Sequence, residues 1–175
     1  MAATANLADI RKSTVGFEKT LHFLNVKGTG ESSTDAFHVI ALRCESDSID
    51  TGVETEDVPD VTQKTQGTEI SSYAPTIKVS GVFLKDDPVC QTIRDIYRKR
   101  LTGSDCHFDY LEVDQWDGNK AYKSDAMIEV TSFPNEAGSN SQLEYTIHLT
   151  SDPEEGTATI DAATGVATFT PKSSS

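Results

Sequence analysis

Apolar and polar residues alternate with a period of two along much of this chain. The alternation is cleanest at residues 143–149, where Leu143, Tyr145, Ile147 and Leu149 share one face and Glu144, Thr146 and His148 the other. That period marks a half-buried β-strand, and its register is strongly specified because a one-residue slip would expose the whole apolar set. The same pattern starts at Val15, where Val15, Phe17, Leu21 and Phe23 oppose Glu18, Thr20 and His22, and recurs where Ile77 and Val79 oppose Lys78 and Ser80. Residues 37–42 are apolar enough for a strand covered on both faces. Further strands are predicted at 108–113, 126–131, 143–150, 157–160 and 166–169, the last two joined into a hairpin by a turn containing Asp161 and Gly165. Gly28-Thr29-Gly30 marks a turn, and Gly81 a bulge or close backbone approach.

The period changes once. Asp87 fits an N-cap with Pro88 at the first helical position, and Val89, Ile93, Ile96, Tyr97 and Leu101 recur at three-to-four spacing to form an apolar stripe. Arg94, Arg98, Lys99 and Arg100 crowd the last turns, where cations complement the helix dipole, and Gly103 supplies a stop. The expectation is a helix over 86–102 whose stripe packs on a sheet. Strands before and after a single helix predict a mainly β fold, a β-sandwich or open barrel with one packed α-helix.

Between these regular stretches, residues 45–66 carry Glu45, Asp47, Asp50, Glu54, Glu56, Asp57 and Asp60 against Lys64 and have almost no apolar periodicity. They read as a long projecting acidic loop, and a structureless insertion of that length is usually functional or disordered. Val58-Pro59-Asp60-Val61 places two β-branched apolar residues around a stiffening proline, a poor arrangement for a loop that never docks. The candidate inter-subunit contacts are therefore Asp47, Asp50, Glu54, Glu56, Asp57, Val58, Pro59, Asp60 and Val61. The length of 175 residues suits a single domain spanning 1–175, with a frayed tail at 171–175.

Charge and chemistry narrow the function classes. A formal net charge of -13 disfavours a stable grip on nucleic acid or on an anionic membrane. The first residues lack an apolar signal-peptide core and no run approaches the roughly 18 apolar residues of a membrane span, so synthesis in the cytoplasm without membrane insertion is expected. Cys44, Cys90 and Cys106 lie far apart without a C-x-x-C pair, which points to buried free thiols. Cys106-His107 fails as a nucleophile and base because adjacent strand residues point to opposite faces. Asp86-Asp87 is explained by helix capping and Asp152-Pro153-Glu154-Glu155 by turn chemistry; neither fits a calcium loop. His22, His38, His107 and His148 fall in no ligand spacing, and Gly28-Thr29-Gly30 lacks the third glycine of a dinucleotide fingerprint. No catalytic, cofactor-binding or metal-ligating residue is predicted.

The order of segments resembles the major tail tube proteins of long-tailed bacteriophages. The resemblance rests on an early strand pair, a long arm, then Tyr73-Ala74-Pro75-Thr76-Ile77-Lys78-Val79-Ser80-Gly81 and the helix opening Lys85-Asp86-Asp87-Pro88-Val89. Leu111-Glu112-Val113-Asp114-Gln115-Trp116 and Ala121-Tyr122-Lys123-Ser124-Asp125-Ala126 follow. The last match is the closing hairpin from Gly156-Thr157-Ala158-Thr159-Ile160-Asp161 to Gly165-Val166-Ala167-Thr168-Phe169-Thr170. Membership would imply a structural virion protein forming hexameric rings that stack into a tail tube, the conduit for genome delivery. It would imply self-contacts within and between rings, partners among tape measure, tail terminator and distal tail or baseplate proteins, and DNA passing through without specific binding. Two other classes stay open: a monomeric β-sandwich ligand-binding or adhesin-type module, for which Trp116 has thin aromatic company, and a small hydrolase, which would show a strongly perturbed active-site group.

Overall fold

A computed structural model describes residues 19–26, 36–40, 44–58, 67–134 and 140–173, with the side chains of 44–47 outside the description. Its strands are β1 (Thr20–Asn25), β2 (Phe37–Val39), β3 (Cys44–Asp50), β4 (Val53–Val58), β5 (Gly67–Tyr73) and β6 (Thr76–Val82). Helix α1 (Pro88–Lys99) precedes β7 (His107–Asp114), β8 (Lys120–Ser132), β9 (Gln142–Leu149), β10 (Glu154–Asp161) and β11 (Val166–Pro171). Mainly β, with a helix where the period changes, is what the alternation predicts. The Val15 and Phe17 end of the first expected strand, the Gly28-Thr29-Gly30 turn, residues 41–42, Pro59, Asp60 and Val61 of the arm, and residues 174–175 lie outside the described residues.

Among the described residues nine strands form one sheet in the order β10-β11-β2-β1-β7-β8-β9-β6-β3, and β10 also pairs with β8. The six strands from β10 to β8 therefore close into a barrel, and β9, β6 and β3 continue from it as an open wing. The 13-residue β8 makes both possible: its residues 120–123 pair with β10 and its residues 126–132 with β9. Closure removes edges from the barrel, whereas the wing ends on β3.

Period two sorts the side chains into two cores. Phe23, Phe37, Leu111, Val113, Ala121, Ala158 and Ala167 fill the barrel. Leu24, Tyr110, Ile77, Val79, Ile128, Leu143, Tyr145 and Ile147 lie in a second core with Val89, Cys90, Ile93 and Ile96 of α1. Neighbours in sequence, such as Phe23 and Leu24 or Tyr110 and Leu111, thus serve different cores from one strand. Gly156 allows the barrel to close tightly, because a Cβ there would lie 2.3 Å from Thr170 O and 2.5 Å from the Phe169 ring. The bulge expected at Gly81 falls on the strand opposite, where β3 shifts register between Cys44 and Ser46 against Gly81 and Ser80.

Asp87 caps α1 by accepting from Val89 N–H at 3.1 Å, with Pro88 opening the first turn. The helix end departs from expectation. Arg100, left-handed at φ 53°, stops it three residues before Gly103, and Leu101 N–H closes back on Ile96 O at 3.0 Å. Tyr97 also leaves the expected packing stripe: it is 59% exposed, and Cys90 is buried in the stripe instead. The reason is position along the axis, since Tyr97 sits in the last turn, where its ring leans on Phe133 at 5.4 Å beside the wing core.

The long loop needs the larger correction. Residues 44–50 are a strand of the main sheet, paired with β6 from Asp50↔Thr76 onward, and residues 53–58 pair with 67–73 as a separate two-stranded ribbon. The described part of the arm is regular β structure, not an irregular loop.

Candidate functional site

The ribbon starts at a hinge. Gly52 holds φ 54°, its N–H donates to Asp50 Oδ1 at 3.0 Å, and Ala74 N–H donates to Gly52 O at 3.0 Å. A Cβ on Gly52 would lie 2.1 Å from Ala74 O, so only glycine lets the two ribbon strands leave the wing this close together. Asp50, expected as an inter-subunit contact, is thus also a hinge ligand. Asp47 falls within β3, where its side chain is outside the description.

Beyond the hinge every described ribbon residue is exposed. β4 alternates Val53, Thr55 and Asp57 on one face with Glu54, Glu56 and Val58 on the other. A bulge between Glu54 and Thr55 leaves Ser71 unopposed on β5, so Ile70 and Tyr73 join the face of Val53 while Glu69 joins that of Glu56. The first face consequently gathers Val53, Ile70 and Tyr73 near the hinge, with Ile70 55% and Tyr73 61% exposed, and Asp57 at its far end. The other face carries Glu54, Glu56 and Glu69, and no Lys, Arg or His occurs in either ribbon strand. Glu56 and Glu69 stand directly opposite one another, a like-charge pair that destabilises a free ribbon. Glu54 accepts from Ser72 Oγ at 2.9 Å and Asp57 from Thr68 Oγ1 at 3.3 Å, links too exposed to anchor the ribbon. A two-stranded ribbon in water is marginal by itself, and this one adds bare apolar surface and facing carboxylates.

Exposed large hydrophobics concentrate here. Ile49, Val53, Val58, Ile70 and Tyr73 all lie on β3, β4 or β5, and β3 leaves one edge of backbone donors and acceptors without a partner strand among the described residues.

A second surface lies at the far end of α1. Arg94, Tyr97 and Arg98 follow the three-to-four spacing that puts them on one flank of the helix, and with Phe83, Phe133 and Ser141 they enclose a hollow of about 510 Å³. The Arg94 guanidinium lies 6.0 Å over the Phe83 ring. Lys99 pairs with Asp95 at 2.8 Å, whereas Arg94, Arg98 and Arg100 have no carboxylate partner among the described residues. Sequence reasoning marks the arginines but misses the groove, because its rings come from α1, the segment after β6 and the segment after β8.

Acid–base chemistry is sparse elsewhere. Burial pushes the Cys90 thiol up to about 12, and burial likewise raises Cys106, so neither is a thiolate near neutral pH. His107 is exposed while Cys106 is buried, which separates that pair. His22 Nδ1 lies 2.5 Å from Tyr110 Oη, and His148 Nε2 pairs with Glu129 at 2.9 Å. Among the described residues no three or more His, Cys, Asp or Glu side chains are grouped to hold a metal ion. A hollow of about 680 Å³ runs between His38 and Val39, residues 83–88 and Thr164-Gly165; its buried Asp87 caps α1 through Oδ1, while Oδ2 is buried without a hydrogen-bond partner among the described residues. At the barrel seam Glu155 binds Lys172 and Lys120 at 2.9 Å each and is held below the usual glutamate value, first by Lys172 and then by Lys120. No helix among the described residues is long and apolar enough to cross a membrane.

No protein-family model matches the sequence, and no curated protein does. Solved structures do. The chain is similar to one from the tail of an empty GTA particle determined with helical refinement and C6 symmetry, at 17% identity and a TM-score of 0.59, over 80% of this chain and 97% of that one. It is similar to a chain of the native gene transfer agent virion at 14% identity and 0.54, over 81% and 98%. It is also similar to a chain of the extended sheath-tube complex of the PVC extracellular contractile injection system, at 13% and 0.51, over 88% and 99%. This chain has the fold of those tail and sheath-tube components.

Proposed function

We propose that this protein is a structural subunit of a virion tail tube, in which copies form rings of six and the rings stack into a hollow conduit. The observation that carries the reading is the β4–β5 ribbon: regular structure, with exposed Val53, Ile70 and Tyr73 on one face and every described residue of both strands exposed. Ring closure needs a heterologous contact that rotates onto itself, and stacking needs a projecting element that reaches a second ring. The free edge of β3 suits the first and the ribbon the second. The shared fold supports the same reading, since one of the similar chains comes from a tail with C6 symmetry.

In such a tube the whole chain acts as one domain, and the ribbon makes its contacts through Glu54, Glu56, Asp57 and Val58 together with Ile70 and Tyr73, whose exposure supports including them. The net charge of -13 suits a passage along which DNA moves without specific binding. Tube ends would meet tape measure, tail terminator and distal tail or baseplate proteins, and the subunit's place is the virion tail after synthesis in the host cytoplasm. The role is mechanical and requires no turnover, metal or cofactor.

Sedimentation velocity across a concentration series tests this. A tube subunit shifts from monomer to rings and larger species as concentration rises. A monomer at every concentration would instead favour a ligand-binding module built around the exposed Trp116.

A further inference from the structure

The ribbon's acidic face and the α1 groove are matched in chemistry, spacing and unmet charge. Val58 lies on the same ribbon face as Glu54 and Glu56, so the described end of β4 presents one branched apolar side chain beside carboxylates. The groove presents the reverse, an aromatic floor of Phe83, Tyr97 and Phe133 rimmed by arginines. Alternate strand residues such as Glu54 and Glu56 repeat about 6.7 Å apart. Arg94 and Arg98 repeat about 6 Å apart along the helix. Among the described residues no ion pair joins ribbon to helix within the chain; in a protein with 28 acidic and 15 basic residues, Arg94, which donates to Gln91 Oε1 at 3.3 Å, and Arg98 line the groove without a carboxylate partner among the described residues.

We propose that the ribbon of one copy docks in the α1 groove of a second copy, with Val58 entering the aromatic floor and Glu54 and Glu56 pairing with Arg94 and Arg98. Resting on the tube reading above, this names the receiving surface. Ribbon and groove are different surfaces, so the contact runs head to tail and propagates from copy to copy. The hollow of about 510 Å³ admits the Val58 side chain without displacing the rings. Pairing Glu56 with an arginine also relieves its like-charge opposition to Glu69, which burdens the free ribbon.

Charge exchange tests the pairing. Arg94→Glu/Arg98→Glu and Glu54→Arg/Glu56→Arg should each keep the circular dichroism of the parent yet lose assembly, leaving no species above a ring. The chain carrying all four changes should assemble again. Independently, Val58→Cys/Tyr97→Cys in the assembled protein should give a ladder of disulfide-linked chains on oxidation, absent from either single variant. If the parent forms tubes but the charge-reversed groove assembles equally well, the four-fold variant stays dispersed, or no ladder appears, this docking is wrong while the tube reading stands. A parent that never rises above a monomer would end both.

Discussion

Removing the ribbon separates its role in assembly from any role in folding. Asp50 and Thr76 are paired across β3 and β6, and Gly52 and Ala74 already touch, so deleting residues 53–73 and joining Gly52 to Ala74 turns the excursion into an ordinary hairpin. Neither hydrophobic core contains a ribbon residue, so no buried apolar surface is lost. The connection between Asp50 and Thr76 shortens about sixfold, which by loop-closure entropy stabilises the body by about 1.5 kcal/mol. For a chain of this length that corresponds to a rise of roughly 3–6 °C in melting temperature. Calorimetry with electron microscopy of the same sample reads both halves: the deletion variant should melt at or above the parent temperature and form no stacked rings. A drop of several degrees would show that the ribbon belongs to the folding unit, and tubes of parental length would show that it is idle.

Other perturbations probe the body. Ile93→Asp places a carboxylate in the fully buried contact between α1 and the wing; it should cost about 4 kcal/mol or more and abolish the cooperative melt, and a well-folded variant would put the stripe elsewhere. Gly156→Val forces a side chain into Thr170 O and the Phe169 ring, and should lower stability by about 1–3 kcal/mol in denaturant titration, with an unchanged midpoint showing that the barrel seam is looser than described. Glu155 is depressed in the folded state, so its ion pairs contribute above the ordinary glutamate value of 4.5 and are lost as pH falls below it. Glu155→Gln should therefore flatten the acid limb of melting temperature against pH; an identical limb in both proteins would show that the pairs with Lys120 and Lys172 do not act on stability.

Legibility in the sequence followed how locally each element is determined. β9 was plain because Leu143, Tyr145 and Ile147 are buried at every second position with no interruption. α1 was plain because Asp87-Pro88 and the stripe of Val89, Ile93 and Ile96 all point to one helix. The ribbon was hidden by two things. Its strands are rich in Glu, Asp and Gly, which have low β propensity, and the unopposed Ser71 puts Ile70 and Tyr73 three residues apart on one face, which breaks the period of two. The expected strand at 126–131 covers only the second half of β8, because Lys123, Ser124 and Asp125 interrupt the apolar alternation and tertiary pairing with β7 and β10 decides the first half. Barrel closure and the α1 groove both depend on residues far apart in sequence, so neither has a local signature.

Negative-stain microscopy of the concentrated protein bears most directly on the central claim. Six-fold rings, and hollow tubes built by stacking them, are the expected images. Uniform single particles of about 19 kDa at the highest attainable concentration, with no rings in any field, would contradict it.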